Sequence, residues 1–275
     1  MKQRLLTILV LAPIAVALVL LLPNPGFAVL CAIVGLVVLW EITRLLGLRS
    51  PVVRGLPLLV AAALMALVWW SRSEAVWWML IGIGIAWWLA VLAWLRHFSF
   101  GAAPTAANRL LKLGAGLLTV LPAWAALVHL HGDHVGGPAW ALFAVAIVWS
   151  ADIFAYLAGR RFGRTRLAPR ISPNKTRAGV AGAMIVAGVV AVIGGWLLDA
   201  RGTALAALVV LVLVVVAASV VGDLFESLLK RQANVKDSGD LFPGHGGLFD
   251  RTDSLFAAMP VFVAGKALID LVLGG

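Results

Sequence analysis

The chain has 275 residues, of which 63% are hydrophobic and only 12% are charged. An ordinary soluble domain is roughly 45–50% apolar and about 25% charged, so the composition excludes a soluble domain, a disordered chain and a secreted disulfide scaffold. The single cysteine, Cys31, allows no intramolecular disulfide. On a soluble protein, a net charge of +10 would suggest nucleic-acid binding. Because this chain is so apolar, we instead expect an integral membrane protein with no nucleic-acid partner.

Nine apolar stretches predict nine transmembrane helices, since a spanning helix needs about 20 apolar residues. They are Leu5–Leu22, Phe27–Leu46, Leu56–Trp70, Ala75–Leu95, Leu110–Leu130, Pro138–Leu157, Gly179–Leu198, Thr203–Val221 and Ser254–Val272. The third stretch is short, so a tilted or re-entrant helix is an alternative there. The first stretch lacks a small-residue cleavage site before Pro23, which favours an uncleaved helix over a signal peptide. The predicted fold class is an all-α polytopic membrane protein.

The positive charges fall on one side of this predicted bundle. All but three of the 22 Lys and Arg residues lie near the N-terminus or in alternate loops, and the exceptions are Arg72, Arg201 and Lys266. Because cytoplasmic loops are enriched in Lys and Arg, we expect a cytoplasmic N-terminus and a C-terminus outside. The cytoplasmic surface is then suited to anionic lipid headgroups and phosphates.

The sixth span and the loop after it contain the first candidate site residues. Asp152 lies near the end of the span, where an ionisable group in apolar surroundings indicates a functional role. The loop 160–177 is rich in Lys and Arg and contains no acid, and the positive-inside rule explains part of that charge. Ser172, Lys175 and Thr176 precede the seventh span, where hydroxyls, an ammonium and a helix N-terminus favour phosphate binding.

Half of the 12 Asp and Glu residues fall in one segment, 223–253, which begins where the eighth span is expected to meet the cytoplasm. If the helix of that span continues, five polar residues share one face. These are Asp223, Glu226, Ser227, Lys230 and Arg231. Both signs of charge on one face favour a site for metal and phosphate. The alternative is a set of helix-stabilising ion pairs, with cations that extend to the interface.

A polar, glycine-rich connection leads from this helix to the ninth span. Gly246 and Gly247 permit a close backbone approach to a ligand, and Asp250 and Asp253 share a face at the next helix start. Acids at a helix N-terminus also complement the helix dipole, which is the structural alternative. Carboxylates at the ends of two adjacent spans are instead suited to a hard cation such as Mg²⁺.

The same segments carry a family resemblance. Its main runs are Ser227-x-Leu229-Lys230-Arg231, Lys236-Asp237-x-Gly239 and Pro243-x-His245-Gly246-Gly247-Leu248-x-Asp250-Arg251-Thr252-Asp253. Two further runs are Asp152-x-x-Ala155-Tyr156-x-x-Gly159-Arg160-x-Phe162-Gly163 and Ile171-Ser172-Pro173-Asn174-Lys175-Thr176. Together they resemble the phosphatidate cytidylyltransferases (CDP-diacylglycerol synthases), over about residues 140–275. Arg177-Ala178 stands where the family has an aromatic residue and a Glu, so a paralogue with another lipid acceptor is an alternative.

The resemblance implies an enzyme of phospholipid biosynthesis that converts CTP and phosphatidate into CDP-diacylglycerol and pyrophosphate. It divides the chain into N-terminal transmembrane helices (1–137) and a catalytic region (138–275), whose cytoplasmic loops are 158–178 and 223–253. We assign Mg²⁺ to Asp223 and Asp250, with a second cation such as K⁺ as an open addition. A homodimer is an open alternative to a monomer, and the composition suggests a bacterial inner membrane.

The resemblance also implies a role for each site residue. The expected catalytic residues are Asp223, Lys230, Asp250, Asp253 and His245. The expected substrate-binding residues are Ser172, Lys175, Thr176, Arg231, Lys236 and Asp152. A CTP-dependent lipid kinase of the dolichol- or phytol-kinase type is one alternative. A lipid transporter is another, suggested by nine spans in which Glu41, Asp152 and Lys266 are expected to be buried, but charge gathered at one face disfavours it.

Overall fold

A computed structural model describes residues 13–241 and 246–273. Residues 13–21 are helical (α1), and long helices follow. They are α2 (Asn24–Leu45), α3 (Pro51–Ser71), α4 (Glu74–Arg96), α5 (Ala106–His131), α6 (Gly137–Phe162), α7 (Arg177–Leu197), α8 (Gly202–Gln232) and α9 (Phe249–Leu273). Within the described ranges, eight helices are long and apolar enough to cross a membrane. The prediction of an all-α polytopic membrane protein is therefore confirmed, while residues 5–12 of the first predicted span lie outside the described part.

Most of the helices extend beyond their predicted apolar stretches, and two of these extensions bear on the predictions. The third stretch belongs to a helix of 21 residues, because α3 already begins at Pro51, and proline is favoured in the first helical turn. This helix has full spanning length. The eighth stretch continues past Val221 to Gln232, so the polar face predicted from the charge spacing is helical as expected.

A two-stranded antiparallel hairpin, which the sequence did not predict, lies between α6 and α7. Strand β1 (Arg166–Ala168) pairs with β2 (Ser172–Thr176). The hairpin is stabilised by the Arg166 guanidinium, which donates to the carbonyl oxygen of Pro173 at 2.6 Å. Strands this short are governed by their pairing more than by apolar alternation, so a loop was the expected structure.

The loops after α2, α4, α6 and α8 meet at one end of the bundle, which we call the basic end. The Gln232 amide at the end of α8 donates to the carbonyls of Phe98 and Phe100, which follow α4. Near the end of α2, Arg44 pairs with Asp240, which follows α8, at 2.5 Å. These contacts place the Lys- and Arg-rich loops on the same side, as the charge distribution predicts.

An aromatic cluster fixes α8 against α4. Phe225 of α8 is fully buried, and its ring makes edge contacts with Trp87, Trp88 and Trp94 at centroid distances of 5.6–5.9 Å. The indole nitrogen of Trp88 also donates to the carbonyl oxygen of Phe256 in α9, at 3.1 Å. Because this anchor sets the rotation of α8 about its axis, it also determines where the polar residues next to Phe225 point.

The orientation of the bundle can be tested with two cysteine substitutions of equal size. Ser99 is exposed at the basic end. Ser71 is the last residue of α3 and is exposed at the opposite end of the bundle. In a Cys31→Ala background, we expect an impermeant maleimide to label Ser71→Cys in intact spheroplasts. It should label Ser99→Cys only after the cytoplasmic side is opened, because the positive-inside rule puts the basic end there. The reverse pattern would contradict this orientation, and the Cys31→Ala protein alone should stay unlabelled.

Candidate active site

A cavity of about 630 Å³ opens at the basic end, between α6, α7, α8, α9 and strand β2. Its wall away from the basic end is apolar, with Ala151 from α6, Ala183 from α7 and Val216 from α8. The part closest to the loops is polar and holds most of the predicted site residues. They are Asp152, Ser172, Lys175, Thr176, Asp223, Lys230, Asp250 and Asp253. A cavity that is charged at one end and apolar at the other suits an amphipathic ligand with an anionic head group.

Close packing of α8 against α9 creates a cluster of three carboxylates. A Cβ atom added at Gly222 would lie 2.5 Å from the carbonyl oxygen of Asp253, so only glycine allows this approach. As a result, one oxygen each from Asp223, Glu226 and Asp253 lies within 4.8 Å of the others. Glu226 and Asp253 are buried. Ionised carboxylates held this closely away from water are unfavourable unless cations lie beside them.

Two lysines supply part of that positive charge. The Lys230 ammonium lies 2.6 Å from Glu226 Oε2 and 2.6 Å from Asp250 Oδ1. The Lys175 ammonium approaches from strand β2 and lies 2.5 Å from Asp223 Oδ2. The three-carboxylate cluster is therefore flanked by an ammonium from its own helix and by another from the hairpin.

One oxygen of the cluster has no hydrogen-bond partner among the described residues, and this bears on metal binding. Glu226 Oε1 is buried and accepts no hydrogen bond from any residue that the structure describes. A buried acceptor left unpaired is unfavourable by about 1–3 kcal/mol. Carboxylate oxygens are the ligands that Mg²⁺ prefers. The donor set of Asp223, Glu226 and Asp253 therefore fits a hard divalent cation.

Asp250, which we expected to share a metal with Asp223, lies in a different environment. Its Oδ1 accepts from Lys230, and its Oδ2 accepts from the backbone N–H groups of Ser238 and Gly247 at 2.9 and 2.7 Å. The Ser238 hydroxyl lies 2.9 Å from the same oxygen. The loop after α8 thus encloses Asp250, whereas the carboxylates close to Asp223 are those of Glu226 and Asp253. The Asp223–Asp250 metal pair stays a prediction.

The hairpin brings the predicted phosphate-binding residues to the cavity wall. Thr176 is the N-cap of α7, and its hydroxyl oxygen accepts from the Gly179 N–H at 3.1 Å. Ser172 and Lys175 precede it on strand β2, and all three side chains belong to the lining. Strand pairing therefore holds an ammonium and two hydroxyls at the start of a helix.

Of the remaining predicted site residues, some line the cavity and others lie outside it. Asp152 lines the cavity, with its Oδ1 3.4 Å from the Ser254 hydroxyl. Arg231 donates to the carbonyl oxygen of Ile171 at 3.4 Å, so it contacts the hairpin. Lys236 is exposed in the loop after α8. Among the described residues, neither Arg231 nor Lys236 lines the cavity, and His245 lies outside the described part of the chain.

The structure adds one site residue and locates the departure from the family pattern. Sequence analysis placed Glu226 on the polar face of α8 beside Asp223 but gave it no catalytic, substrate-binding or metal role. Arg177 and Ala178, where the resemblance leads us to expect an aromatic residue and a Glu, are not part of the cavity lining as described. The acids of the site come instead from α6, α8 and α9.

The fold and the cavity define a multi-pass membrane protein with a charged, amphipathic site. In comparison with known proteins, residues 2–268 match the cytidylyltransferase family. The phosphatidate cytidylyltransferase of Pseudomonas aeruginosa is 38% identical over 280 residues, which cover 96% of each chain. That of Haemophilus influenzae is 32% identical over 95% of this chain and 97% of its own. That of Brucella abortus is 47% identical over 137 residues, or 47% of each chain. The chain belongs to the cytidylyltransferase family.

The contact between Lys175 and Asp223 predicts that Lys175 matters more than the exposed cations of the same segment. We expect Lys175→Met to lower cytidylyltransferase turnover, or the apparent affinity for CTP, by about ten- to a hundredfold, because a charge-assisted contact is worth roughly 1.5–3 kcal/mol. Arg170 is exposed at the turn of the hairpin. Arg170→Met should cost much less, with a loss that shrinks as salt rises. Steady-state kinetics at two ionic strengths would measure both, and equal losses with the same salt dependence would contradict a defined phosphate contact.

Proposed function

We propose that this protein is a phosphatidate cytidylyltransferase, which makes CDP-diacylglycerol and pyrophosphate from CTP and phosphatidate. The observation that carries the proposal is the 38% identity to a relative of that name over 96% of both chains. The cavity supports it independently. Its charged end suits a triphosphate and a lipid phosphate, and its apolar wall suits the hydrocarbon next to the lipid phosphate.

The reaction needs no covalent intermediate on the protein. A phosphate oxygen of phosphatidate attacks the α-phosphorus of CTP, and the bond to the departing pyrophosphate breaks. The protein therefore contributes positioning and neutralisation of charge. Lys175 and Lys230 are the ammonium groups that can neutralise phosphates, and the hydroxyls of Ser172 and Thr176 can donate to phosphate oxygens.

Asp223, Glu226 and Asp253 are the residues that would hold a divalent cation, for which we propose Mg²⁺. The support is the clustering of their oxygens and the unpaired Glu226 Oε1. When bound, the cation supplies positive charge to the triphosphate and to the leaving pyrophosphate. A second cation such as K⁺ and a homodimer remain predictions of the resemblance.

We propose that the basic end faces the cytoplasm of a bacterium and that the protein lies in its inner membrane. The relatives are bacterial proteins, and CTP is available on the cytoplasmic side. Phosphatidate in the inner leaflet would then present its phosphate at the depth where the spans end. The surrounding Lys and Arg residues favour anionic lipid at this surface.

The position of the label in CTP separates this reaction from the alternatives. With purified protein and phosphatidate, α-labelled CTP should give a labelled lipid, and γ-labelled CTP should give labelled pyrophosphate. A CTP-dependent lipid kinase, tested with a polyprenol or phytol, would instead transfer the γ label to the lipid. A transporter would release no pyrophosphate from CTP. Failure of α-labelled CTP to label phosphatidate would contradict the proposal.

Carboxylate substitutions test which acids hold the cation. We expect Asp223→Asn and Asp253→Asn each to lower turnover about a hundredfold or more, because a lost metal carboxylate removes several kcal/mol of transition-state stabilisation. Both should also weaken the binding of Mn²⁺, measured by electron paramagnetic resonance as a substitute for Mg²⁺.

Turnover and Mn²⁺ binding also test a control variant and the competing assignment of the metal to Asp223 and Asp250. Asp240 is exposed and pairs with Arg44 at the surface, so Asp240→Asn should leave turnover and Mn²⁺ binding close to wild type. Asp250→Asn should lower turnover but leave Mn²⁺ binding largely intact, because Asp250 is bound to Lys230 and the loop. Weakened Mn²⁺ binding in Asp250→Asn, with normal binding in Asp253→Asn, would restore the Asp223–Asp250 pair.

A further inference from the structure

A buried carboxylate in the N-terminal half of the chain contacts the loop that leads into α9. Glu41 lies in α2 and is only 4% exposed. Its Oε1 accepts from the backbone N–H of Leu248 at 2.8 Å, and its Oε2 accepts from the N–H of Phe249 at 2.9 Å. The Ser238 hydroxyl lies 2.7 Å from Oε2. One side chain thus serves three donors that lie about 200 residues further along the chain.

The loop is shaped to accept this carboxylate. A Cβ atom at Gly239 would lie 2.6 Å from Glu41 Oε1, and one at Gly247 would collide with Glu41 Oε2 and the Ser238 hydroxyl. Two glycines of the sequence motif are therefore explained by the contact with Glu41. The close backbone approach that we expected at Gly247 is made to Glu41 and Ser238.

A continuous series of contacts links Glu41 to the cavity. The Ser238 hydroxyl lies between Glu41 Oε2 and Asp250 Oδ2, at 2.7 and 2.9 Å. The other oxygen of Asp250 accepts from Lys230, whose ammonium also contacts Glu226. Glu41 itself is not part of the cavity lining as described, so its influence must pass through the loop.

Glu41 also contacts the start of α9. Its oxygens accept from the N–H groups of Leu248 and Phe249, and α9 starts at Phe249. Unpaired N–H groups at a helix start are stabilised by a negatively charged acceptor. Asp250 and Asp253 lie in the first turns of this helix, so the position of both depends on how its first residues are held.

We propose that Glu41 is a positioning residue for the active site: its carboxylate holds Ser238 and Leu248 of the loop after α8 and the start of α9, and thereby places Asp250 and the Lys230 ammonium. The effect on turnover rests on the proposed function, whereas the effect on the loop does not. The substitution Glu41→Gln is a sharp probe, because an amide has one acceptor oxygen and its NH₂ group opposes the N–H donors.

The matched control is Thr43→Val. Thr43 lies in the same helix and is fully buried, but its hydroxyl donates to the carbonyl oxygen of Trp40 and accepts from Arg54 Nε, both of which lie outside the loop. Both variants and the wild type would be purified at full length in lipid nanodiscs. Hydrogen exchange of peptides covering 246–252 and steady-state kinetics with CTP and phosphatidate would then be measured, together with the thermal midpoint.

We expect Glu41→Gln to speed exchange in this segment and to lower kcat by about tenfold or more, as losses of supporting partners around a site typically do. The KM for phosphatidate should change by less than about threefold, because the cavity walls are untouched. Thr43→Val should leave the exchange of the segment and kcat close to wild type at a comparable thermal midpoint.

Two results would overturn the inference. One is that Glu41→Gln matches Thr43→Val in loop exchange and in kcat. The other is that exchange rises uniformly along all helices with a matching fall in thermal midpoint, which indicates a merely structural residue. If Glu41→Gln does not fold, Ser238→Ala is measured instead. Ser238→Ala should lower kcat several-fold and leave the KM for phosphatidate unchanged. An unchanged kcat would overturn the inference. An inactive wild type refutes the proposed function, while the exchange comparison still tests the role of Glu41.

Discussion

The Lys230 ammonium makes the two ion pairs on which the rest of the site depends. It lies 2.6 Å from both Glu226 and Asp250, and its side chain is only 13% exposed. Removing one partner of a buried ion pair typically costs about 3–5 kcal/mol, because the other charge is left uncompensated. Without Lys230, the carboxylates of Asp223, Glu226, Asp250 and Asp253 would crowd the ends of α8 and α9 with one cation fewer to balance them. This ammonium therefore offsets part of the repulsion among the clustered carboxylates.

Rigid elements hold each charged group of the site. Phe225 fixes α8 against the tryptophans of α4, and Gly222 allows α9 to approach until Asp253 meets Asp223. The hairpin then brings Lys175 from the opposite wall. Since preorganised charges lose little energy in reorganising during a reaction, this construction suits a transfer between two anionic substrates. The N-terminal helices take part as well, because Glu41 in α2 holds the loop that encloses Asp250.

The sequence predicts the helices well and the site in part, for physical reasons. Hydropathy locates the spans, and the charge spacing after Val221 predicts that α8 continues. The grouping of Asp223, Glu226 and Lys230 follows from one helical face. The hairpin was missed because its strands are short and Pro173 interrupts the pattern. The surroundings of Asp250 were missed in part because its Oδ2 accepts from backbone N–H groups, which leave no mark on the sequence. The partners of Glu41 were equally hidden, since contacts between distant segments arise only on folding.

A double-mutant cycle on Lys230 and Asp250 tests the central claim most directly. Turnover would be measured for Lys230→Met, Asp250→Asn and the double variant, with CTP and phosphatidate as substrates. If the two groups act as one unit, the double variant should be about as impaired as the worse single variant, with a coupling energy of roughly 1–3 kcal/mol. Losses that simply add would show that Lys230 and Asp250 act independently, and would contradict the dependence of the buried carboxylates on this ammonium.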